Sequence, residues 1–456
     1  MAMMTLANRP ALADTREAVL KRTALNNAHR EMFAIGDFKK LDKGLNRIQQ
    51  EYEAGKWTDS ELWKLFYFPL SATDPAFEEL YNKWVSAYPA SYAARQARGK
   101  YFSNRAVEVL QTVRKIAKVE KIDQMPPEEA ARMKHFLELS IKDETASLSL
   151  AAKPLLAYCD LIAMYAFTGA PDTSRKMLDE ANKIAPLNVS ARHRYMSALD
   201  DSGANVADMR KVVEDARKSG LGEDDISSIA RLFHARLLEE ARYEELDREM
   251  TSVQQAYESG KIDDKTLEDY FSIFSNSNPA HAEKHNAWVK AYPRSYAARQ
   301  ARALYFLRTA WLARGGGYFK DMSPEERKGL ELYMKHAQDD SKAAVSLTAK
   351  PLLAYESMLA ISEVNGSHET SDALLELANT VDPKNSVVRA RYMHALQTRW
   401  GGSLAQMEKF LAQAKAAGIS DNRLMYFENL IVEEKFWLSE QADKAYPDLG
   451  ELVTGF

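Results

Sequence analysis

Trp84 to Phe102 reads WVSAYPASYAARQARGKYF, and Trp288 to Phe306 reads WVKAYPRSYAARQARALYF. The two stretches are identical at fifteen of nineteen positions. A repeat this dense does not arise by chance, and each copy must form the same supersecondary unit. The match extends outward on both sides. Upstream, Phe38 to Asp42 with Gln49, Gln50 and Gly55 parallels Tyr243 to Asp247 with Gln254, Gln255 and Gly260. Downstream, AKPLLAY at Ala152 to Tyr158 recurs at Ala349 to Tyr355. Arg194-Tyr195-Met196 likewise returns as Arg391-Tyr392-Met393. The separation falls from 204 to 197 positions, so the first copy carries about seven extra residues. These are placed near Lys115 to Met125, opposite Gly315-Gly316-Gly317. The expected organisation is an N-terminal extension (1–21), a first unit (22–226), a second unit (227–423) and a tail (424–456). The tail restarts the unit's opening helix and reads as a C-terminal cap, which a repeat array needs over its last apolar face.

The punctuation inside each unit is helical. Tyr88-Pro89 ends one helix, because the residue before proline is pushed out of the α region, and Ser91 is placed to N-cap the next. Ala93, Ala97 and Tyr101 then recur at i, i+4 and i+8, a face small enough for close helix approach. Ser323-Pro324-Glu325-Glu326 is a strong helix start, with a cap, a proline at the first position and acids at the positive dipole end. Met125-Pro126-Pro127-Glu128-Glu129 is its counterpart in the first copy. Leu374-Leu375-Glu376-Leu377-Ala378 followed by Pro383 has the form of the end of a tetratricopeptide helix pair. Only 19 glycines and 15 prolines occur in 456 residues, and strand-like alternation is nearly absent. These features predict an all-α fold of helical hairpins, a TPR-like α-solenoid of two homologous halves plus a C-terminal cap helix.

Trp288 to Phe306, Ala310-Trp311 with Arg314-Gly315, and Arg399-Trp400-Gly401-Gly402-Ser403 together resemble a bacterial family of uncharacterised tetratricopeptide-like helical domains. Through the repeat, the resemblance reaches most of the chain. The first copy departs from it: Ala106-Val107 replaces Ala310-Trp311, and Asp201-Ser202-Gly203 stands where the Trp-Gly-Gly was. By analogy of context, the resemblance implies interaction modules, including partners or immunity proteins of toxin systems.

Most chemistry-bearing residues have an ordinary structural explanation. Cys159, the single cysteine, aligns with Glu356, and a lone helical thiol is usually a small buried hydrophobe. His281 and His285 lie four apart but align with Phe77 and Tyr81, so a packing face is expected rather than a metal site. The Gly315-Gly316-Gly317 run lacks the following Lys-Ser/Thr and the preceding strand of a phosphate loop. It is expected to end the helix carrying Trp311. The duplicated arginines Arg95, Arg98, Arg299 and Arg302 admit two readings. They line a groove for an acidic partner through bidentate bonds, or they pair with the unit's own acids and hold helices in register. The candidate partner-binding set is Arg95, Arg98, Arg299, Arg302, Trp311, Arg314 and Trp400. No catalytic residue, cofactor or metal ligand is assigned.

A net charge of −4 with interspersed signs gives no global basis for nucleic-acid binding. No apolar run is long enough to span a membrane. Met1 to Ala13 lacks the basic start and apolar core of a secretory signal. The expected location is therefore the cytoplasm, or the periplasm if a leader was removed. The expected function is a non-enzymatic helical-repeat module that binds a protein, a toxin or secreted effector being the suspected partner. The alternatives are an enzyme with a site in the cleft between the halves and a structural oligomerisation scaffold. Oligomeric state is left open.

Overall fold

A computed structural model describes residues 16–117, 124–316, 321–364 and 366–445. The start of the N-terminal extension, part of the stretch assigned the first copy's extra residues, Gly317 and the end of the tail lie outside the described residues. Within them no strand occurs, and no helix is long and apolar enough to cross a membrane. The chain divides into two compact units, Ala18–Phe233 and His234–Phe456. Their boundary lies in one helix, α11 (Glu223–Glu239), the helix in which the expected division at 226–227 also falls.

The first unit contains α1 (Arg16–Ala34), α2 (Phe38–Glu53), α3 (Asp59–Tyr67), α4 (Phe77–Ala87) and α5 (Tyr92–Ala117). It continues with α6 (Pro127–Ser147), α7 (Leu155–Phe167), α8 (Pro171–Ile184), α9 (Ser190–Asp201) and α10 (Val206–Lys218). The second contains α12 (Tyr243–Glu258), α13 (Asp264–Phe271), α14 (His281–Ala291), α15 (Tyr296–Arg314) and α16 (Pro324–Val345). After these come α17 (Leu352–Val364), α18 (His368–Val381), α19 (Val387–Ala395), α20 (Leu404–Ala416) and α21 (Asp421–Ala445). Short 3-10 turns cover Ser272–Ser275 and Thr398–Trp400. Successive helices pack as antiparallel hairpins, α5 on α6 and α7 on α8, then α15 on α16 and α17 on α18. The fold is an all-α repeat of helical hairpins.

Local chemistry sets the helix ends where the sequence places them. Ser91 Oγ accepts from Ala94 N at 3.2 Å and Ser295 Oγ from Ala298 N at 3.1 Å. Ser323 and Glu326 close a reciprocal capping box behind Pro324, which satisfies donors the first helical turn leaves unpaired. The Ala93/Ala97/Tyr101 face is wholly buried, as is its counterpart Ala297/Ala301/Tyr305. Trp84 and Trp288 are core residues. Their indole N–H groups donate to Asp42 and Asp247 at 3.0 and 3.1 Å.

Longer-range ties recur in the same places. Gln49 Nε2 donates to the Lys153 carbonyl at 2.9 Å and Gln254 Nε2 to the Lys350 carbonyl at 3.1 Å. Asp59 takes the Val189 amide at 2.9 Å, and Asp264 takes the Val387 amide at 2.7 Å. These bonds fix the loops preceding α7 and α17, and the starts of α9 and α19, to helices more than ninety residues away.

The interiors nevertheless differ. In the first unit, Gln96 Nε2 reaches Tyr67 Oη, Glu144 Oε1 and Asp160 Oδ2 at 3.1 to 3.2 Å. Tyr67 also donates to Asp160, and Lys100 Nζ donates to Asp160 Oδ1 at 3.0 Å. Glu144 fits only because Gly99 faces it: a Cβ there would lie 2.5 Å from Oε1. The corresponding residues of the second unit are Ala303, Leu304, Ser341 and Ser357. Burial, reinforced by the negative charges of Asp160 and Asp143 and opposed by Lys100, holds the Glu144 carboxyl well above its ordinary range. A raised folded-state pKa means that stability is greatest below the unfolded value and falls as pH rises toward the folded one. Glu144→Gln is therefore expected to match the parent near pH 4 and to melt progressively higher than it as pH rises above about 5. Thermal melts across pH check this, and parallel pH profiles would contradict it.

Candidate functional site

The residues singled out in the second copy come together at one end of α15. Trp311 and Arg314 lie on its last turn, which Gly315 ends with a φ of +72°. Trp400 closes the 3-10 turn after α19, followed by Gly401 in the left-handed region. Gly402 is forced by contact: a Cβ on it would sit 2.1 Å from the Leu396 carbonyl oxygen. Ser403 then caps α20 through the Gln406 amide. From the far side, Glu434 of α21 accepts from Thr398 N at 2.9 Å and from the Thr398 hydroxyl. The Arg-Trp-Gly-Gly-Ser run is thus a rigid mount for one indole.

Trp400 meets Trp311 edge to face, with ring centroids 6.0 Å apart at 74°. The Arg314 guanidinium lies over the Trp311 ring at 5.5 Å. All three side chains are half-buried. The Trp400 indole N–H meets no hydrogen-bond acceptor among the described residues.

Beneath the indoles is a charged layer absent from the sequence-derived set. His394 stands 6.2 Å from the Trp400 ring, and its Nδ1 is 2.6 Å from Glu363 Oε1. Arg391 Nη1 is 3.8 Å from Glu363 Oε2, and its Nε donates to Glu356 Oε1 at 2.9 Å. Burial pushes the Glu356 carboxyl up despite Arg391. For Arg391, burial opposes the charge, but Glu356 and Glu363 more than offset it. In the first copy the aligned residues are Cys159, Ala166, Arg194 and Ser197, so only the arginine is shared, and Val107 stands at the position of Trp311. The cluster belongs to the second copy alone. The one signal that could have revealed it is the placement of two acidic residues, Glu356 and Glu363, within the otherwise uncharged α17.

The duplicated arginines are engaged inside their own units. Arg98 grips Asp143 with two bonds, Nε to Oδ2 at 2.6 Å and Nη2 to Oδ1 at 2.8 Å, and donates to Asn82 at 3.0 Å. Arg95 adds a bond to Asp143 at 3.1 Å and one to the Pro89 carbonyl at 2.9 Å. Arg302 holds Asp340 at 2.7 and 2.8 Å and Asn286 at 3.0 Å, while Arg299 reaches Asp340 at 3.0 Å. Each aspartate is almost fully buried. The sequence placed no acidic residue opposite these arginines, because the partner lies on the next helix of the hairpin.

The remaining candidates are packing residues. Cys159 is buried, and burial pushes its thiol up. Burial pushes His285 down to about 3, and its ring packs among Phe274 and Tyr305. No group of three or more metal-binding side chains occurs among the described residues. An open groove of about 530 Å³ in the first unit is lined by Asp42, Asn46, Gln50 and Tyr88, among others. One of about 520 Å³ in the second is lined by the aligned Asp247, Thr251, Gln255 and Tyr292.

Residues 231–376 match the model of a family described as a domain of unknown function (DUF4034). That stretch, about a third of the chain, includes Trp311 and Arg314 but not Trp400. No curated protein matches the chain. Among solved structures, one similar in part is described as the structure of Naa15/Naa10 bound to HypK-THB. It shows 14% identity over 86% of this chain and 67% of that one, with a TM-score of 0.20. Another is a circular tandem repeat protein with novel repeat topology and enhanced subunit contact surfaces. Its figures are 16% identity, 94% and 92% coverage, and a TM-score of 0.18. Likenesses this distant carry no argument about function.

Three outcomes follow from this geometry. Gly402→Ala is expected to cost about 2 kcal/mol through overpacking against Leu396 and to shift the Trp400 emission. Gly316→Ala, where an added Cβ would meet nothing within 4 Å among the described residues, is expected to leave both unchanged. Asp340→Asn, which leaves two guanidiniums without their shared counter-charge, is expected to lower stability by about 3 kcal/mol. Denaturant unfolding monitored by circular dichroism measures the stabilities, and tryptophan fluorescence the emission.

Proposed function

We propose that this chain is a non-catalytic, protein-binding helical-repeat module whose partner docks on the Trp311–Arg314–Trp400 surface of its second unit. One observation carries the reading: two half-exposed indoles and a guanidinium converge on a rigid mount. Tryptophan and arginine dominate the energetics of protein interfaces because each places a large, stiff, partly polar surface against the partner. Arg95, Arg98, Arg299 and Arg302 serve in this reading as internal ties between helices rather than as contact residues. The two units are read as a tandem duplication, 22–226 and 227–423, in which only the second copy carries the docking patch. A toxin or secreted effector of a bacterial system is the partner class that the family resemblance suggests. The cytoplasm is the proposed location, supported by a single buried cysteine in a long chain.

The test is quantitative affinity capture with crosslinking from the native host. The wild-type chain is expected to retain one partner crosslinked close to Trp311 or Trp400. A Trp311→Ala/Arg314→Ala double variant of unchanged helicity is expected to retain at least tenfold less, a loss of about 1.4 kcal/mol or more. Equal recovery by both proteins, or no partner at all, would reject the proposal.

A further inference from the structure

The first copy keeps Arg194 but not the acids that neutralise its counterpart. In the second unit, Arg391 lies 2.9 Å from Glu356 and 3.8 Å from Glu363, both on α17. At the aligned positions on α7 the first unit has Cys159 and Ala166. Arg194 is half-buried, and it makes no hydrogen bond or ion pair among the described residues. Its place beside α7 is marked by Cys159, on whose thiol the Arg194 charge acts more strongly than any other.

The neighbouring differences add positive charge. Ala390 and Asn429 of the second unit align with His193 on α9 and Arg231 on α11, both half-buried. Arg231 Nη2 is 3.2 Å from His193 Nε2. No acidic oxygen lies within 4.0 Å of the Arg194 or Arg231 guanidinium among the described residues. Burial, together with the charges of Arg231 and Arg194, holds His193 down to about 4, so one imidazole feels both guanidiniums. The acids whose charge also reaches Cys159 are committed elsewhere: Asp160 to Lys100 and Tyr67, and Asp59 to the Val189 amide. Cys159, Ala166 and Ser197 are also smaller than Glu356, Glu363 and His394. The side chains that crowd Arg391 therefore have only short counterparts around Arg194.

We infer that Arg194, Arg231 and His193 form a binding site for the phosphate group of a small soluble molecule. A guanidinium drawn partly out of water is normally paired, and here two of them lack a counter-charge. The ligand takes the place of the two carboxyl groups that meet Arg391 in the second copy. It must bring more than one negative charge and acceptors pointing in several directions. A phosphate monoester carries about −1.5 to −2 charge at pH 7 and three acceptor oxygens, whereas a monocarboxylate has one charge in a single plane. The arginine fork also matches phosphate oxygens in pairs. A bound anion offsets the two cations acting on His193, so the ring takes up a proton more readily and becomes a further donor. The site lies in the first unit and shares no residue with the indole patch.

The probe is inorganic phosphate, titrated into the full chain at constant ionic strength while the histidine ring signals are followed by NMR. His193→Gln identifies the signal concerned. That signal is expected to move saturably, and its protonation midpoint to rise above about 4 when phosphate is bound. Arg231→Gln is expected to weaken binding about tenfold or more. Ala166→Glu, which restores the carboxyl that Glu363 supplies in the second copy, is expected to weaken it similarly while melting no lower than the parent. The inference fails if sodium chloride moves the signal as phosphate does, or if Arg231→Gln binds phosphate as well as the parent. It fails if acetate binds as tightly as phosphate, which would make this a carboxylate site. Binding to phosphatidic acid vesicles without any response to free phosphate would assign the group to a membrane surface and equally overturn it.

Discussion

Each unit is held by one buried carboxylate shared between two guanidiniums. Asp143 and Asp340 sit on the second helix of the long hairpin, and the arginines of the Arg-Gln-Ala-Arg run clasp them from the first. A buried charge is tolerated only when paired and hydrogen-bonded. The clasp therefore fixes the rotation and height of one helix against the other. Asn82 and Asn286, bonded to the same guanidiniums, extend the constraint to α4 and α14. The alanine face can then approach its neighbours closely, and the indoles of Trp84 and Trp288 are sealed beneath.

On this common frame the units place their remaining polar groups differently. The first keeps Glu144, Asp160 and Lys100 deep between α5, α6 and α7, with Gly99 making room. The second fills the same space with Ala303, Leu304, Ser341 and Ser357. Its carboxylates Glu356 and Glu363 lie instead under the Trp311–Trp400 pair, tied to Arg391 and His394. A buried network stiffens an interior, whereas the same residue types under a half-exposed aromatic pair stiffen a surface. Only the second arrangement lies beneath a half-exposed aromatic pair.

The period, the all-helical class, the Ser91 and Ser323 caps, the alanine face and the glycine-ended turns at Gly315 and Gly401 are all legible in the sequence. Each depends on neighbours within one or two helical turns, where propensity, capping geometry and spacing act directly. The mutual approach of Trp311 and Trp400 was not legible, although both residues stood out. They lie on separate helical segments 89 positions apart, and periodicity identifies the face of a helix without naming the helix that meets it.

The sequence by itself determined that this is a repeated helical protein, and which residues turn inward, because amphipathic spacing and chain-terminating signals are local. Only the tertiary structure decided what those residues do. Four arginines suited to an acidic ligand were given internal aspartates, and two indoles were left half-open. Val432 and Phe436 of α21 were left exposed, whereas the aligned residues of α1 and α11 are buried. The reason is geometric: a side chain's role is set by what the neighbouring hairpin brings within about 4 Å of it, and that depends on how helices distant in sequence pack together.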